Sequence, residues 1–400
     1  MIGMTTAHTC EVFDAELAVR DILGQLAARD LPRNAVGLVF CNLEFIESGV
    51  LEAVCAALPF ATVGCTTQGA AVHNAMDHII LTVTVLFDDS AITGDNTAFA
   101  VSLSEPLTST PDAHIGDTYR TAAEKFGEAP SMIFAFQPYL HNIRGDTVLR
   151  ALDAASGGVP VFGTVALDFT TAFRSPMTFL NGKAYDDRLA LLLLSGDARP
   201  VFFAESLPEG RATISRDDVV TDALDNILLS VNNAPASDYM EKLGLASDGV
   251  FNGAQLSLPV LLDHHNGEKP QACSFYDITP EGGVRCAGDI PVGATFSIGS
   301  LGHTDVLATA ASVTGAALAH AGRRPGTAEE KGGLLLFSCF SRNIVLADRS
   351  AEMEAVQSAM AGSSLPYSFI HSGGELCPMY DESGRPMNRF HNYSLIGCLL

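Results

Sequence analysis

Three polar segments near the C-terminus carry the residue types best suited to recognising a small molecule. They are Ser338-Cys339-Phe340-Ser341-Arg342, His371-Ser372-Gly373-Gly374-Glu375 and Phe390-His391-Asn392-Tyr393-Ser394. The guanidinium of Arg342 can hold a carboxylate through two parallel hydrogen bonds, and the carboxylate of Glu375 can accept hydrogen bonds from an ammonium group. Together they suit a zwitterion such as an amino acid. The same guanidinium can instead pair with Glu354 or Glu375 and brace the domain. Gly373 and Gly374, like Gly64-Cys65-Thr66-Thr67 upstream, allow tight turns and expose backbone N–H groups to anionic ligand atoms. Such glycines can equally serve the turns alone. His391 and Asn392 add polar contacts, with a bond from His391 to a neighbouring carbonyl as the plainer reading.

Cys339 invites a nucleophile reading, because a nearby cation lowers a thiol pKa and Arg342 follows three positions on, with His371 or His391 as the base. No local signature of a cysteine hydrolase surrounds it, and cysteine is often simply a small buried apolar residue. A chain that is not an enzyme is therefore expected. Asp263-His264-His265, with Glu268 and Cys273, is rich in metal-ligating types. Adjacent histidines on a strand point to opposite faces, and the spacing fits no zinc pattern, so a solvated hairpin end is expected.

The 46 acidic residues outnumber 23 basic ones, and the resulting charge of −23 repels phosphate backbones and anionic lipid surfaces. Nucleic acid is thereby disfavoured as a partner. Apolar residues make up 47% of the 400, enough to bury two or three cores. Nine cysteines without close CxxC pairs argue for reduced thiols rather than a disulfide framework. The first ten residues show no export pattern, and the apolar run Leu189 to Leu194 is too short to span a bilayer, so a cytoplasmic protein without membrane insertion is expected.

These residues must be held by elements, and one pattern occurs three times. An apolar strand (residues 36–41, 132–136 and 333–339) leads to a helix (45–57, 146–155 and 351–360). A second strand follows (59–65, 160–164 and 366–370), then a loop and a final strand (79–87, 188–195 and 393–400). Continuous apolar runs bounded by Gly and Pro read as buried strands, and helices between them read as crossovers covering a sheet. Between the second and third copies, the pattern predicts an amphipathic helix over 217–231, a short helix over 236–243, strands at 258–262, 272–276 and 294–298, and a helix over 305–321. The expected fold is mixed α/β (α+β). Two mixed-sheet domains, residues 1–207 and 208–400, are built from repeated strand–helix–strand–strand units.

The three C-terminal segments in that order, with Cys377-Pro378 and with Glu354 between the first two, resemble the end of a FIST C-terminal domain. Val63 to Gly69 and Phe162 to Asp168 resemble the turns of a FIST N-terminal domain, and Pro235 to Tyr239 with Leu243-Gly244 the entry to the C-terminal one. Two departures stand out: Phe162 to Asp168 is poorer in glycine than the family's turn, and Ala70 stands where an acidic residue is expected. The resemblance implies a sensor of small ligands, with amino acids favoured, acting on a separate signalling protein. It also implies an alternative: haem-dependent nitric-oxide sensing that regulates a histidine kinase or a cyclic-di-GMP enzyme. Haem needs an axial His or Cys in an apolar pocket, and His73, His78, His141, His264, His265, His371 and Cys377 are candidates that spacing does not separate.

Overall fold

The computed structural model describes residues 2–27, 34–88, 98–108, 110–140, 143–169, 175–195, 198–208, 215–265, 267–323, 332–346 and 348–400; His141 lies outside them. The repeat is longer than the sequence pattern indicates, because each copy is preceded by a further strand and helix. Unit one runs β1 (Ile2–Thr9), α1 (Ala15–Leu26), β2 (Ala35–Cys41), α2 (Leu43–Glu47), α3 (Val50–Ala57), β3 (Thr62–Thr66), β4 (Ala70–Val72), β5 (Ala75–Asp77) and β6 (Leu81–Asp88). Unit two runs β7 (Phe99–Leu103), α4 (Pro111–Ala123), β8 (Met132–Gln137), α5 (Gly145–Ser156), β9 (Val161–Val165), β10 (Thr178–Leu180), β11 (Lys183–Tyr185) and β12 (Ala190–Leu194).

Unit three opens with β13 (Val201–Glu205) and is then interrupted by an insert. The insert comprises β14 (Ser215–Leu224), β15 (Ile227–Val231), β16 (Ala234–Pro235), α6 (Ala236–Lys242), β17 (Ala246–Ser247), β18 (Val250–Phe251), β19 (Val260–Asp263), β20 (Gln271–Cys273), β21 (Phe275–Ile278), β22 (Val284–Cys286) and β23 (Thr295–Ile298). The unit resumes with α7 (His303–Arg323), β24 (Leu334–Cys339), α8 (Phe340–Ile344), α9 (Ala351–Met360), β25 (Tyr367–Ser372), β26 (Glu375–Tyr380), β27 (Pro386–His391) and β28 (Leu395–Leu399). The expected division near residue 207 falls where the insert begins, between β13 and β14. Strands β24 to β28 then return to the body.

Among the described residues the units form three six-stranded sheets of one plan: β1-β6-β2-β3-β10-β11, β7-β12-β8-β9-β26-β27 and β13-β28-β24-β25-β4-β5. In each, the two strands joined by the crossover helix are parallel (β2 with β3, β8 with β9, β24 with β25) and the remaining pairs are antiparallel. The last two strands of each sheet are a hairpin lent by another unit. Unit one's β4-β5 completes the sheet of unit three, unit two's β10-β11 that of unit one, and unit three's β26-β27 that of unit two. The exchange is cyclic.

Where the three sheets meet, Phe40, Phe136 and Phe337 take corresponding places. Each is opposite the residue that faces the lent hairpin, and Phe40 lies edge-on to the other two at 5.8 and 5.7 Å. Strand alternation sends Leu335 and Phe337 into this shared core and Leu334 and Leu336 outward against α7 and α9. No helix among the described residues is long and apolar enough to cross a membrane.

The helix expected over 217–231 is instead the β14-β15 hairpin. Asp225 turns the chain in the left-handed region (φ 51°), and Asn226 donates its side-chain amide to the Cys286 carbonyl at 2.6 Å. Val220, Leu228 and Val231 are buried in the insert core while Val219, Leu224 and Leu229 are exposed, which is a strand's alternation with a turn between its halves. Pairing with β22 and β23 overrides the helical spacing.

Two glycines at matching places in β3 and β9 permit the close approach of the parallel pairs: a Cβ on Gly64 would run into the Val39 carbonyl, and one on Gly163 into that of Ala135. Gly64→Ala and Gly163→Ala are each expected to destabilise the protein by about 1–3 kcal/mol. Gly24→Ala, on the exposed face of α1 with open space around it, should stabilise by about 0.5–1 kcal/mol. Urea unfolding midpoints check both signs.

Candidate functional site

Arg342 is the largest fully buried side chain among the described residues, and its position is set by α8 following directly on β24. Its Nε and Nη2 donate to Glu352 Oε1 at 3.0 and 2.6 Å. Nη2 also donates to the Val306 carbonyl at 3.0 Å and to Thr309 Oγ1 at 2.7 Å, while Nη1 reaches the Tyr393 carbonyl at 3.3 Å. Ser338 Oγ donates to the other Glu352 oxygen at 2.7 Å. The guanidinium is therefore an internal brace between α7, α8, α9 and the β27-β28 turn, which corrects its reading as a holder of a ligand carboxylate. Its carboxylate is neither Glu354 nor Glu375. Two residues along a helix rotate by about 200°, so Glu352 faces inward and Glu354 faces solvent, away from the site.

Of the two roles open to the glycine turns, the hydrogen bonds found here are those of the structural one. Their N–H groups bond other protein groups, because this is where the three units cross. Thr66 N donates to the Met177 carbonyl (2.8 Å), Thr67 N to Cys41 (2.9 Å), Gly373 N to Val165 (2.9 Å), and Gly374 N to Ser372 Oγ (3.1 Å). Gly64, Cys65 and Thr66 are wholly buried, and burial pushes the Cys65 thiol well above its usual pKa. Asn392 stitches the body to the insert, its N–H donating to Ala272 at 3.3 Å and its Oδ1 accepting from Ser274 N at 3.3 Å.

Glu375, Cys339 and His391 do come together. Glu375 is directly opposite Thr164 on β9 and His391 on β27, so the three side chains form one row on the inner face of the sheet. The Glu375 carboxyl has the Ser372 hydroxyl and the Cys339 thiol as its side-chain neighbours. Burial raises the Glu375 pKa well above the carboxylate range, against smaller opposing effects of Ser372 and Arg342. Burial and then the Glu375 carboxyl hold the Cys339 thiol protonated, the reverse of an activated nucleophile. His391 Nε2 lies 3.0 Å from the Cys377 carbonyl, and burial brings its pKa down to about 4, so the ring is uncharged at neutral pH.

His391 and Met379, on the same face as Glu375, line a cleft of about 490 Å³ between the body and the insert. The body adds Glu205, Thr309, Ser312 and Ser394; the insert adds Lys269, Gln271 and Ala272. Ser312 Oγ donates to Glu205 Oε1 at 2.9 Å. Exposed Lys269 and half-buried Glu205 mark the rim, whereas Thr309, His391 and Ser394 are buried at the floor. Of these residues only His391 is among the sequence candidates. The others lie on five stretches of chain, and apart from Ser394, which ends the third polar segment, no local motif announces them.

Among the described residues, none of the haem candidates borders an apolar cavity. His371 packs edge-on to Phe369 at 5.3 Å and parallel to His78 at 6.5 Å, Cys377 is buried in the central core, and neither borders a described cavity. His73 borders a second cavity of about 580 Å³, but Thr5, Thr6, Gln25, Asn74 and Ser363 give it polar walls, not the apolar faces a macrocycle requires. His264 and His265 diverge, to Gln271 at 3.2 Å and Thr295 at 2.8 Å. Among the described residues no three metal-ligating side chains converge.

Residues 35–234 match the family model of the FIST N domain, and residues 223–378 match that of the FIST C domain. No curated protein matches the chain. A solved structure described as "Cyanuric acid hydrolase: evolutionary innovation by structural concatenation" overlies it with a TM-score of 0.34 at 9% identity, covering 100% of this chain and 99% of the other.

Removing one partner of a buried ion pair strands the other. Arg342→Ala and Glu352→Ala are each expected to cost about 3–5 kcal/mol, whereas Arg342→Met combined with Glu352→Leu should recover most of that loss in chemical unfolding. His391 has a folded pKa below its unfolded value of about 6.5, so its contribution is fully present above pH 6.5 and is lost as pH falls through about 4. His391→Gln should accordingly lose up to about 3 kcal/mol less stability than the parent between pH 7 and 4.

Proposed function

Because the chain belongs to the FIST family, whose domains are associated with small-ligand sensing in signal transduction, we propose that it binds an amino-acid-like metabolite in the cleft between body and insert and reports occupancy to a separate signalling protein. The observation that carries this reading is the make-up of the cleft. One wall belongs to the three-unit body and the other to the insert, with Glu205 on the first and Lys269 on the second. Opposite charges facing across a rim complement the two ends of a zwitterion. A ligand touching both walls makes different contacts when they shift, which is the differential interaction that a conformational report requires.

The partner would be a signalling enzyme of the histidine-kinase or cyclic-di-GMP class in the cytoplasm. Binding rather than turnover is proposed because Cys339, the thiol of the first polar segment, is held protonated by burial and by Glu375.

Calorimetric titration of the full chain with the common amino acids tests the reading. At least one should bind, and Lys269→Glu and Glu205→Ala should each weaken it by about tenfold or more, the scale of a lost charge-assisted hydrogen bond, with little change in the melting temperature of the free protein. Unaltered affinity in both variants would place the ligand elsewhere. Failure of every amino acid to bind would remove the metabolite reading.

A further inference from the structure

The second cavity, of about 580 Å³, lies where unit one meets unit three, between strand β1, the β4-β5 hairpin and the chain after α9. It is open because one of the lent hairpins does not seat on its host as another does. In the sheet of unit one, the turn of β10-β11 rests on β3: Asn181 N donates to the Thr62 carbonyl at 2.8 Å, and Asn181 Oδ1 accepts from Thr62 N at 3.0 Å. Asn181 and Gly182 reach that contact with φ of 51° and 77°. The register of β4 on β25 puts His73, opposite Tyr367, and Asn74 at the matching places. Neither takes a left-handed φ, and among the described residues no hydrogen bond joins this turn to Tyr367, so the space between them stays open.

The walls hold hydrogen-bonding groups that the fold leaves unused. Thr5 lines the cavity and is only 8% exposed, yet its hydroxyl has no partner among the described residues. Strand β1 is the outer strand of its sheet, so one of its edges carries no ladder. On that edge Gln25 covers His8, its Oε1 accepting from His8 N at 3.1 Å and its Nε2 donating to the His8 carbonyl at 2.7 Å. Along an antiparallel pair, alternate residues turn both main-chain groups the same way. The β1-β6 register is unbroken, so Thr6 presents its N–H and C=O on the same edge as His8. Among the described residues no side chain takes the place there that Gln25 takes at His8.

We propose that this cavity is a second ligand site, separate from the amino-acid cleft, and that it takes an uncharged polyhydroxylated molecule of monosaccharide size. No Lys, Arg, Asp or Glu lines it, so no side chain of opposite charge offsets the desolvation of an ionic ligand. A hydroxyl both donates and accepts at one atom. Two neighbouring hydroxyls can therefore meet Thr6 N–H and C=O together, as the Gln25 amide does at His8, while another bonds the Thr5 hydroxyl. The volume falls within the range of about 300–1,000 Å³ common to small-molecule sites. A ligand seated there touches both unit one and unit three.

Calorimetric titration of the full chain with D-glucose, D-galactose, D-ribose and myo-inositol, alongside D-glucuronate, D-glucosamine and nicotinamide, decides it. At least one neutral polyol should bind, and the two charged sugars should bind at least about tenfold more weakly. Thr5→Val should weaken binding by about three- to tenfold, the loss of one neutral hydrogen bond, and melt no lower than the parent. Gly362→Leu, whose side chain enters open space at the wall, should abolish binding, and Lys269→Glu in the other cleft should leave it unchanged. Failure of every neutral polyol to bind would overturn the proposal, as would tighter binding of a charged sugar or of nicotinamide. Affinity unaltered in both Thr5→Val and Gly362→Leu, or lost in Lys269→Glu, would place the polyol elsewhere and overturn it too. Thr5→Val melting well below the parent would assign the hydroxyl to the fold, with the same consequence. None of these outcomes bears on amino-acid binding in the cleft, which the Glu205 and Lys269 variants test separately.

Discussion

The exchange of hairpins is the constraint on which the rest of the molecule depends. Without it β3, β9 and β25 would each be an open sheet edge, presenting unpaired N–H and C=O groups close to the centre of the molecule. Covering each edge with a hairpin from another unit satisfies those groups, and it also makes every unit incomplete alone. The turns after β3, β9 and β25 therefore cross at one place. Thr67 Oγ1 donates to the His371 carbonyl at 2.8 Å, Leu167 N to Thr66 at 3.0 Å, and Thr164 Oγ1 to Ser372 Oγ at 2.7 Å. These bonds join residues 101 to 304 positions apart, which is why the turns are tightly sealed rather than open to anions.

The insert is attached at the edge of this arrangement and is tied to it by a small number of polar contacts. Asp146, in the first turn of α5, accepts the Asp289 N–H at 2.8 Å, and Arg144 pairs with the Asp289 carboxylate at 2.9 Å. Arg389 holds Glu268 through two bonds, of 2.9 and 2.7 Å. Tyr393 donates its hydroxyl to the Gln255 carbonyl at 3.1 Å while its own carbonyl accepts from Arg342. The Arg342–Glu352 pair thus stiffens the wall of the cleft without entering it. The floor beside it, Thr309, His391 and Ser394, is polar and uncharged at neutral pH beneath a charged rim.

Such a gradient separates two tasks. Charge at an exposed rim attracts and orients a ligand but contributes modestly to affinity, since solvent screens it. Neutral hydrogen-bonding groups deep in the cleft discriminate, because a ligand that leaves them unpaired forfeits their desolvation.

What the sequence determined by itself was the set of buried strands, their crossover helices and the threefold recurrence, because a continuous apolar run or a helical stripe is a local signal whatever surrounds it. It also singled out the C-terminal segments in which Cys339, Glu375 and His391 converge. Three things were decided only by the tertiary structure. The segment 215–231 became a hairpin because β22 and β23 offered it partners. Arg342 took Glu352 rather than Glu354 or Glu375 because helix phase, not sequence proximity, chose which carboxylate faced inward. Glu205, Lys269, Gln271 and Ser312 became walls of one cleft because the hairpin exchange and the return of the chain after the insert brought distant stretches together. Residue types encode what each group can do, and only the closing of the sheets determines which groups meet.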